Sequence, residues 1–176
     1  MGYRPSKDEY YLNIAKEVAR RSTCLSVKIG AIIVKDDQIV ATGYNGAPRK
    51  VRDCYEIGVC LRRKLKIPSG EKYEICRSVH AEQNCIINAA RAGVSILNGT
   101  MYQVGFRVVN GKEKLVTAYP CFICKKMIIN AGLEKYVGMR EDGSFKVYYI
   151  KDWVAEWREK DMLEEKDRHF IDYYGE

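Results

Sequence analysis

Two short stretches of this sequence carry residue types that can do chemistry together: His80-Ala81-Glu82 and Pro120-Cys121-Phe122-Ile123-Cys124. Two thiolates three positions apart at a helix start can hold one ion, and an imidazole from elsewhere makes three protein ligands. Three ligands leave the fourth tetrahedral position to water, which marks a catalytic zinc; structural sites close all four. Zinc lowers the pKa of its bound water to about 7, so a hydroxide is available at neutral pH. Glu82, two residues past the His80 ligand, then takes up that proton and returns it as a general acid. Both ligand groups fall where helices are expected to begin, and the partial positive charge of a helix N-terminus favours thiolates.

Either half alone is a weak signal. Cys-x-x-Cys also occurs in redox pairs and zinc knuckles, and His-x-Glu is common by chance. In this order and together, they form the signature of zinc-dependent nucleobase deaminases. A purely structural zinc would leave Glu82 without a purpose.

The surrounding pattern supplies elements to hold these residues. Ser6-Lys7-Asp8-Glu9 reads as a capping box opening a helix to about Arg21, with Tyr11, Ile14, Ala15, Val18 and Ala19 at helical spacing. Ile29–Val34 and Ile39–Tyr44 read as an antiparallel hairpin. A second helix is predicted from His80 to just before Gly93. A strand over Thr100–Phe106 is followed by the turn signal Asn110-Gly111 and a strand over Lys114–Ala118. A third helix is predicted from Pro120 to Gly132, then short strands over Lys135–Arg140 and Lys146–Ile150. A charged helix from Asp152 carries Trp153 and Trp157 on one face, as packing anchors. The expected fold is α/β: three α/β/α layers, with a central mixed sheet of about five strands flanked by helices.

With 176 residues, 47% of them hydrophobic, the chain suits a single domain spanning 1–176. No apolar stretch is long enough for a membrane span. The N-terminal residues lack the character of a secretory signal, and the loose myristoylation match at Met1-Gly2 with Ser6 is discounted. The net charge of +7 suits an anionic partner. Basic residues cluster at Arg49, Lys50 and Arg52 and at Arg62, Arg63, Lys64 and Lys66. Neither cluster is interleaved with aromatic residues as a single-strand stacking platform would be, which favours a small anion over nucleic acid. Arg49, Lys50 and Arg52 are read either as reaching a 5′-phosphate or as a solvated rim.

Seven cysteines in metal-like spacings point to a reducing compartment, the cytoplasm, and to metal rather than disulfides. Cys85 lies within the second helix and reads as a core residue. Cys24, Cys54, Cys60 and Cys76 border the irregular stretch about 46–79. They are assigned to a second, structural zinc, because such a stretch needs a staple and a closed four-thiolate site contributes folding energy. The competing reading is a set of scattered reduced thiols.

The chain resembles the deoxycytidylate (dCMP) deaminase family of the cytidine deaminase-like superfamily. The resemblance is carried by Ile29-Gly30-Ala31-Ile32-Ile33-Val34, Gly43-Tyr44-Asn45-Gly46-Ala47-Pro48, His80-Ala81-Glu82-Gln83-Asn84 and Tyr119-Pro120-Cys121-Phe122-Ile123-Cys124, and it runs from about Ser22 to Arg140. It implies hydrolytic deamination of dCMP to dUMP and ammonia, feeding thymidylate synthesis. Water would attack cytosine C4 while Glu82 protonates N3 and then the departing ammonia. By the same resemblance Asn45 contacts the sugar, the backbone at Ala81 contacts the base and Tyr119 lines the pocket. The resemblance also implies a homo-oligomer, a hexamer in many members. It further implies activation by dCTP, with Mg²⁺, and inhibition by dTTP near Gly46 and Arg49. Gly43 and Gly46 are equally well read as ordinary turn residues. The chain departs from the family in its cysteine-bearing insertion, about 46–79, and in its helical tail, about 151–176. The alternatives are a tRNA adenosine deaminase, a free cytidine deaminase, and a non-catalytic zinc-stabilised nucleic-acid-binding module. The last does not account for Glu82.

Overall fold

The structure is a computed structural model that describes residues 2–68 and 70–160. Helix α1 (Lys7–Arg20) opens on the expected capping box: Glu9 N–H donates to Ser6 Oγ at 3.2 Å, and Ser6 N–H donates to the Glu9 carboxylate at 2.7 Å. Strands β1 (Lys28–Lys35) and β2 (Gln38–Tyr44) form the predicted hairpin. The stretch that lacks periodicity contains two single-turn helices, α2 (Cys54–Ile57) and α3 (Leu61–Lys64), and a 3-10 turn at Tyr73–Ile75. Helix α4 (Ala81–Arg91) has His80 as its N-cap and stops two residues before Gly93, whose φ of 67° suits the end of a helix.

Strands β3 (Thr100–Val109) and β4 (Lys112–Val116) meet at Asn110-Gly111, both at positive φ as a tight hairpin turn requires. Helix α5 (Phe122–Asn130) follows, N-capped by Cys121; then come β5 (Lys135–Met139), β6 (Phe145–Tyr149) and helix α6 (Ile150–Glu159). The remainder of the expected helical tail lies outside the described residues.

The sheet runs β2-β1-β3-β5-β6, with β4 paired to β3. It has six strands rather than about five, because β4 extends β3 as a hairpin arm. The β3–β5 pair is parallel and the others are antiparallel, so α5 is the crossover between two parallel neighbours. Alternation along β1 sends Ala31 and Ile33 to one face and Ile32 and Val34 to the other. The first pair packs with Ala81, Cys85 and Ala89 of α4, Ile128 of α5 and Trp153 of α6. The second packs with Tyr11, Leu12 and Ala15 of α1. The three α/β/α layers follow directly.

Trp153 is buried, as an anchor should be, and Trp157 stacks on Phe122 of α5 with centroids 5.9 Å apart. Between the two indoles lies the Lys125 ammonium, 4.9 Å from Trp153 and 4.8 Å from Trp157. Nothing local to Lys125 marks it for burial against aromatic rings, a favourable arrangement when the cation is desolvated. Among the described residues, no helix is long and apolar enough to cross a membrane.

Candidate metal centre and active site

Glycines allow the helices carrying the metal motifs to sit close. A Cβ on Gly43 in β2 would lie 2.3 Å from the backbone nitrogen of Cys85 in α4. A Cβ on Gly138 in β5 would lie 2.2 Å from the Ala118 carbonyl, at the entry to Pro120-Cys121. Gly43 therefore has a packing role inside a strand rather than the turn role that its position suggested. Two asparagines stitch α4 to the open edge of β2: Asn84 Nδ2 donates to the Tyr44 carbonyl at 2.8 Å, and Asn88 Nδ2 to the Thr42 carbonyl at 2.7 Å. They satisfy backbone acceptors that an edge strand would otherwise expose. Their spacing of four residues, one helical turn, was the available sequence signal and went unread.

With α4 and α5 so placed, their N-caps meet. Cys121 Sγ and Cys124 Sγ each lie 3.4 Å from His80 Nδ1, and the three ligand atoms are all within 4.8 Å of one another. A tetrahedron with Zn–N near 2.0 Å and Zn–S near 2.3 Å has N···S edges of roughly 3.5 Å, so the donor set and its spacing fit zinc. The hydrogen bond from Cys124, with further help from His80, brings the Cys121 thiol down to about 4. The same hydrogen bond and burial push Cys124 up. A bound cation would favour the thiolate form of both cysteines.

Burial works against a charged His80, but its hydrogen bond to Cys121 and the charge of Glu82 outweigh it and raise its pKa. Glu82, in the first turn of α4, is only 3% exposed. Burial raises its carboxyl above the usual range, partly offset by the charge of His80 and a hydrogen bond from Gln103. Tyr136 Oη in turn donates to Gln103 Oε1, fixing the amide so that its NH₂ faces Glu82. Gln103 and Tyr136 are supports that the motif did not reveal. A buried carboxyl with a raised pKa beside an open metal position is suited to moving protons near neutral pH.

The loop after β2 lies beside this centre. Gly46 and Val79 exchange backbone hydrogen bonds at 3.2 and 2.8 Å, one residue ahead of His80. Asn45 is buried: its Oδ1 accepts from Ser22 Oγ at 2.6 Å and Ile29 N–H at 2.8 Å, and its Nδ2 donates to the Val27 carbonyl at 2.8 Å. Its amide thus locks the start of β1, and among the described residues one Nδ2 hydrogen is unused. Ala81 is fully buried, and Tyr119 sits in an aromatic group with Tyr148 at 5.1 Å and Trp153 at 5.9 Å. Arg49 is directed elsewhere. Its Nη2 donates to Asn88 Oδ1 at 2.7 Å, about two helical turns along α4 from His80. There it lines a groove of about 540 Å³ with Ile39–Thr42, Asn88, Arg91 and Ala92.

The remaining cysteines also find one another. Burial raises the Cys54 thiol, and the neighbouring Cys24, Cys60 and Cys76 raise it further, while Arg77 opposes them. Cys24, Cys60 and Cys76 thus lie near enough to Cys54 to act on it electrostatically, without forming a ligand group as tight as the first set. Among the described residues, the group whose ligand atoms lie within 4.8 Å is His80, Cys121 and Cys124. Cys85 is fully buried and its thiol is pushed up by burial, as a core residue's should be.

A sequence profile for the cytidine and deoxycytidylate deaminase zinc-binding region matches residues 5–139. The chain belongs to that family. A deoxycytidylate deaminase of Mycobacterium phage D29 is 35% identical over 143 residues, covering 78% of this chain and 98% of the phage protein. A deoxycytidylate deaminase of Schizosaccharomyces pombe is 31% identical over 135 residues, 77% of this chain; the chain spans 37% of the yeast protein's length. Among solved structures, the dCMP deaminase of cyanophage S-TIM5, in complex with dCMP and dUMP, superposes with a TM-score of 0.53 at 27% identity. That match covers 77% of this chain and 82% of the cyanophage protein. The fold is that of the cytidine deaminase-like family, and the matched zinc-binding region contains the His80, Cys121 and Cys124 cluster.

Proposed function

We propose that this protein hydrolyses dCMP to dUMP and ammonia. The observation that carries the reading is the buried Glu82 beside an open His80–Cys121–Cys124 centre. It is supported by similarity to a cyanophage enzyme solved with this substrate and product. Zinc, when bound, makes hydroxide available from water at neutral pH. Glu82 accepts the proton that water gives up and passes it to cytosine N3 as the C4–O bond forms. It then takes the C4 hydroxyl proton and delivers it to the amino group as the C4–N bond breaks, which leaves the C4 carbonyl of dUMP and ammonia. Gln103 holds the carboxyl in place, the Ala81 backbone meets the base, the spare Asn45 amide hydrogen meets the sugar, and Tyr119 closes the pocket wall. The test is direct: dCMP should yield dUMP and ammonia in equal amounts, with activity lost to a chelator and restored by zinc.

The same reading extends to the rest of the chain, taken as one deaminase domain with the segment about 46–79 as an insertion. Cys24, Cys54, Cys60 and Cys76 close around a second, structural zinc, a reading supported by their common neighbourhood. The groove holding Arg49 and Arg91, with the adjoining Gly46 loop, takes a nucleoside triphosphate, dCTP with Mg²⁺ or dTTP. The two arginines suit phosphate there. The assembly is a homo-oligomer, a hexamer by family resemblance, working in the cytoplasm. Sedimentation equilibrium of the zinc-loaded protein tests the assembly.

A further inference from the structure

The segment between β2 and α4 brings two further side chains, Arg62 and Tyr73, to the side of the His80 ring. Tyr73 meets the His80 ring edge-on, centroids 4.9 Å apart at 85°. The Arg62 guanidinium lies over the Tyr73 ring, 4.9 Å from its centroid. Tyr73 thus stands between the Arg62 charge of α3 and the His80 ring. Arg62 Nη2 donates to the Pro68 carbonyl at 2.6 Å, which sets the plane of the guanidinium. Its Nε is buried and, among the described residues, has no hydrogen-bond partner. A buried, unpaired N–H on a cation is costly, so an acceptor arriving from outside the chain would be strongly favoured.

Other guanidinium groups nearby are accounted for. Arg49 is bonded to Asn88, away along α4. Arg63 donates to the Leu25 carbonyl and to Ser26 Oγ. Among the described residues the Arg77 Nη1 is also buried without a partner, but no aromatic contact links Arg77 to His80 as Tyr73 links Arg62. Arg62 is the one of these four that lies over the ring packed edge-on against His80.

We infer that Arg62, braced flat by Tyr73, binds the 5′-phosphate of the substrate and sets the preference for a nucleotide over a nucleoside. The inference rests on the deaminase reading of the site and adds the residue that selects among its substrates. A planar guanidinium held against an aromatic face presents its fork of N–H donors to two phosphate oxygens at once, which a lysine ammonium cannot copy.

The test compares kcat/KM for dCMP and for deoxycytidine in zinc-loaded wild type, R62Q, R62K and K64Q. Lys64 is exposed on the same short helix and controls for the loss of one charge from the segment. R62Q should lose about 10- to 100-fold on dCMP, mostly through KM, as expected for one charge-assisted contact, and stay within about two-fold of wild type on deoxycytidine. R62K should fall between the two on dCMP, and K64Q should match wild type on both. A wild-type preference for dCMP that survives in R62Q overturns this inference alone. An equal fall on both substrates in R62Q and R62K would make Arg62 a packing residue for Tyr73 and also overturn it. Wild type that handles dCMP no better than deoxycytidine overturns the dCMP reading and this inference together.

Discussion

Gly43 of β2 and Cys85 of α4 meet backbone to backbone, with no room for a side chain on the strand: an added Cβ would stand 2.3 Å from Cys85 N and 2.5 Å from the Ala81 carbonyl. Since Ala81 and Glu82 form the first turn of that helix, the approach sets the position of His80 and the catalytic carboxyl relative to the sheet. Replacing Gly43 with Ala should force α4 outward. Overpacking of this kind costs about 1–3 kcal/mol, so the melting temperature should drop by several degrees and zinc should be lost more readily to a chelator. Unchanged stability and zinc retention in G43A would show that the helix can slide without consequence.

Glu82 is placed to move protons and is not needed as a ligand. E82Q keeps the shape and the contact with Gln103 but cannot accept a proton. It should hold wild-type zinc, measured by metal analysis, while turnover falls by at least about 100-fold, the lower end of general acid–base contributions. Retention of a tenth of wild-type activity or more would assign the proton transfers to another group.

The thiol neighbourhood around Cys54 predicts about two zinc ions per fully loaded chain, one of them open and one closed. C60S should lower that to about one, unfold at a lower temperature, and leave the His80–Cys121–Cys124 metal in place. One zinc per chain in the loaded wild type would remove the second metal.

Regulation would show as a shift in the dCMP dependence. With Mg²⁺ present, dCTP should lower the dCMP concentration giving half-maximal rate, within the roughly 5- to 150-fold range of typical coupling energies. R91Q, which removes one cation from the groove beside α4, should blunt the response without altering the rate at saturating dCMP. Rates indifferent to dCTP and dTTP would mean that this groove is not an effector site.

Much of this architecture was legible because its signals are local. The Ser6–Glu9 box, the Asn110-Gly111 turn and the helix starts at His80 and Cys121 each rest on residues within a few positions of one another. The His80, Cys121 and Cys124 cluster was legible for the same reason: two compact motifs, each at a helix N-terminus. What escaped depends on contacts between distant segments. Gln103 and Tyr136 are strand residues whose polar groups acquire meaning only once α4 lies over the sheet. Arg49 sits in a basic cluster near the sugar loop, yet its guanidinium runs along α4 to Asn88, because the asparagine ladder already occupies that edge. Lys125 looks like a surface lysine until α6 folds its two tryptophans over it.

The central claim is that the metal centre acts on a pyrimidine nucleotide, and ammonia release across a substrate panel tests it most directly. Zinc-loaded protein is assayed with dCMP, CMP, dCTP, deoxycytidine, cytidine and a tRNA anticodon stem bearing adenosine, and kcat/KM is compared. The account predicts that dCMP is used at least about ten-fold better than deoxycytidine, the worth of one charge-assisted phosphate contact, with no release from the tRNA stem. Turnover confined to the tRNA stem, or a nucleoside used as well as dCMP, would contradict it.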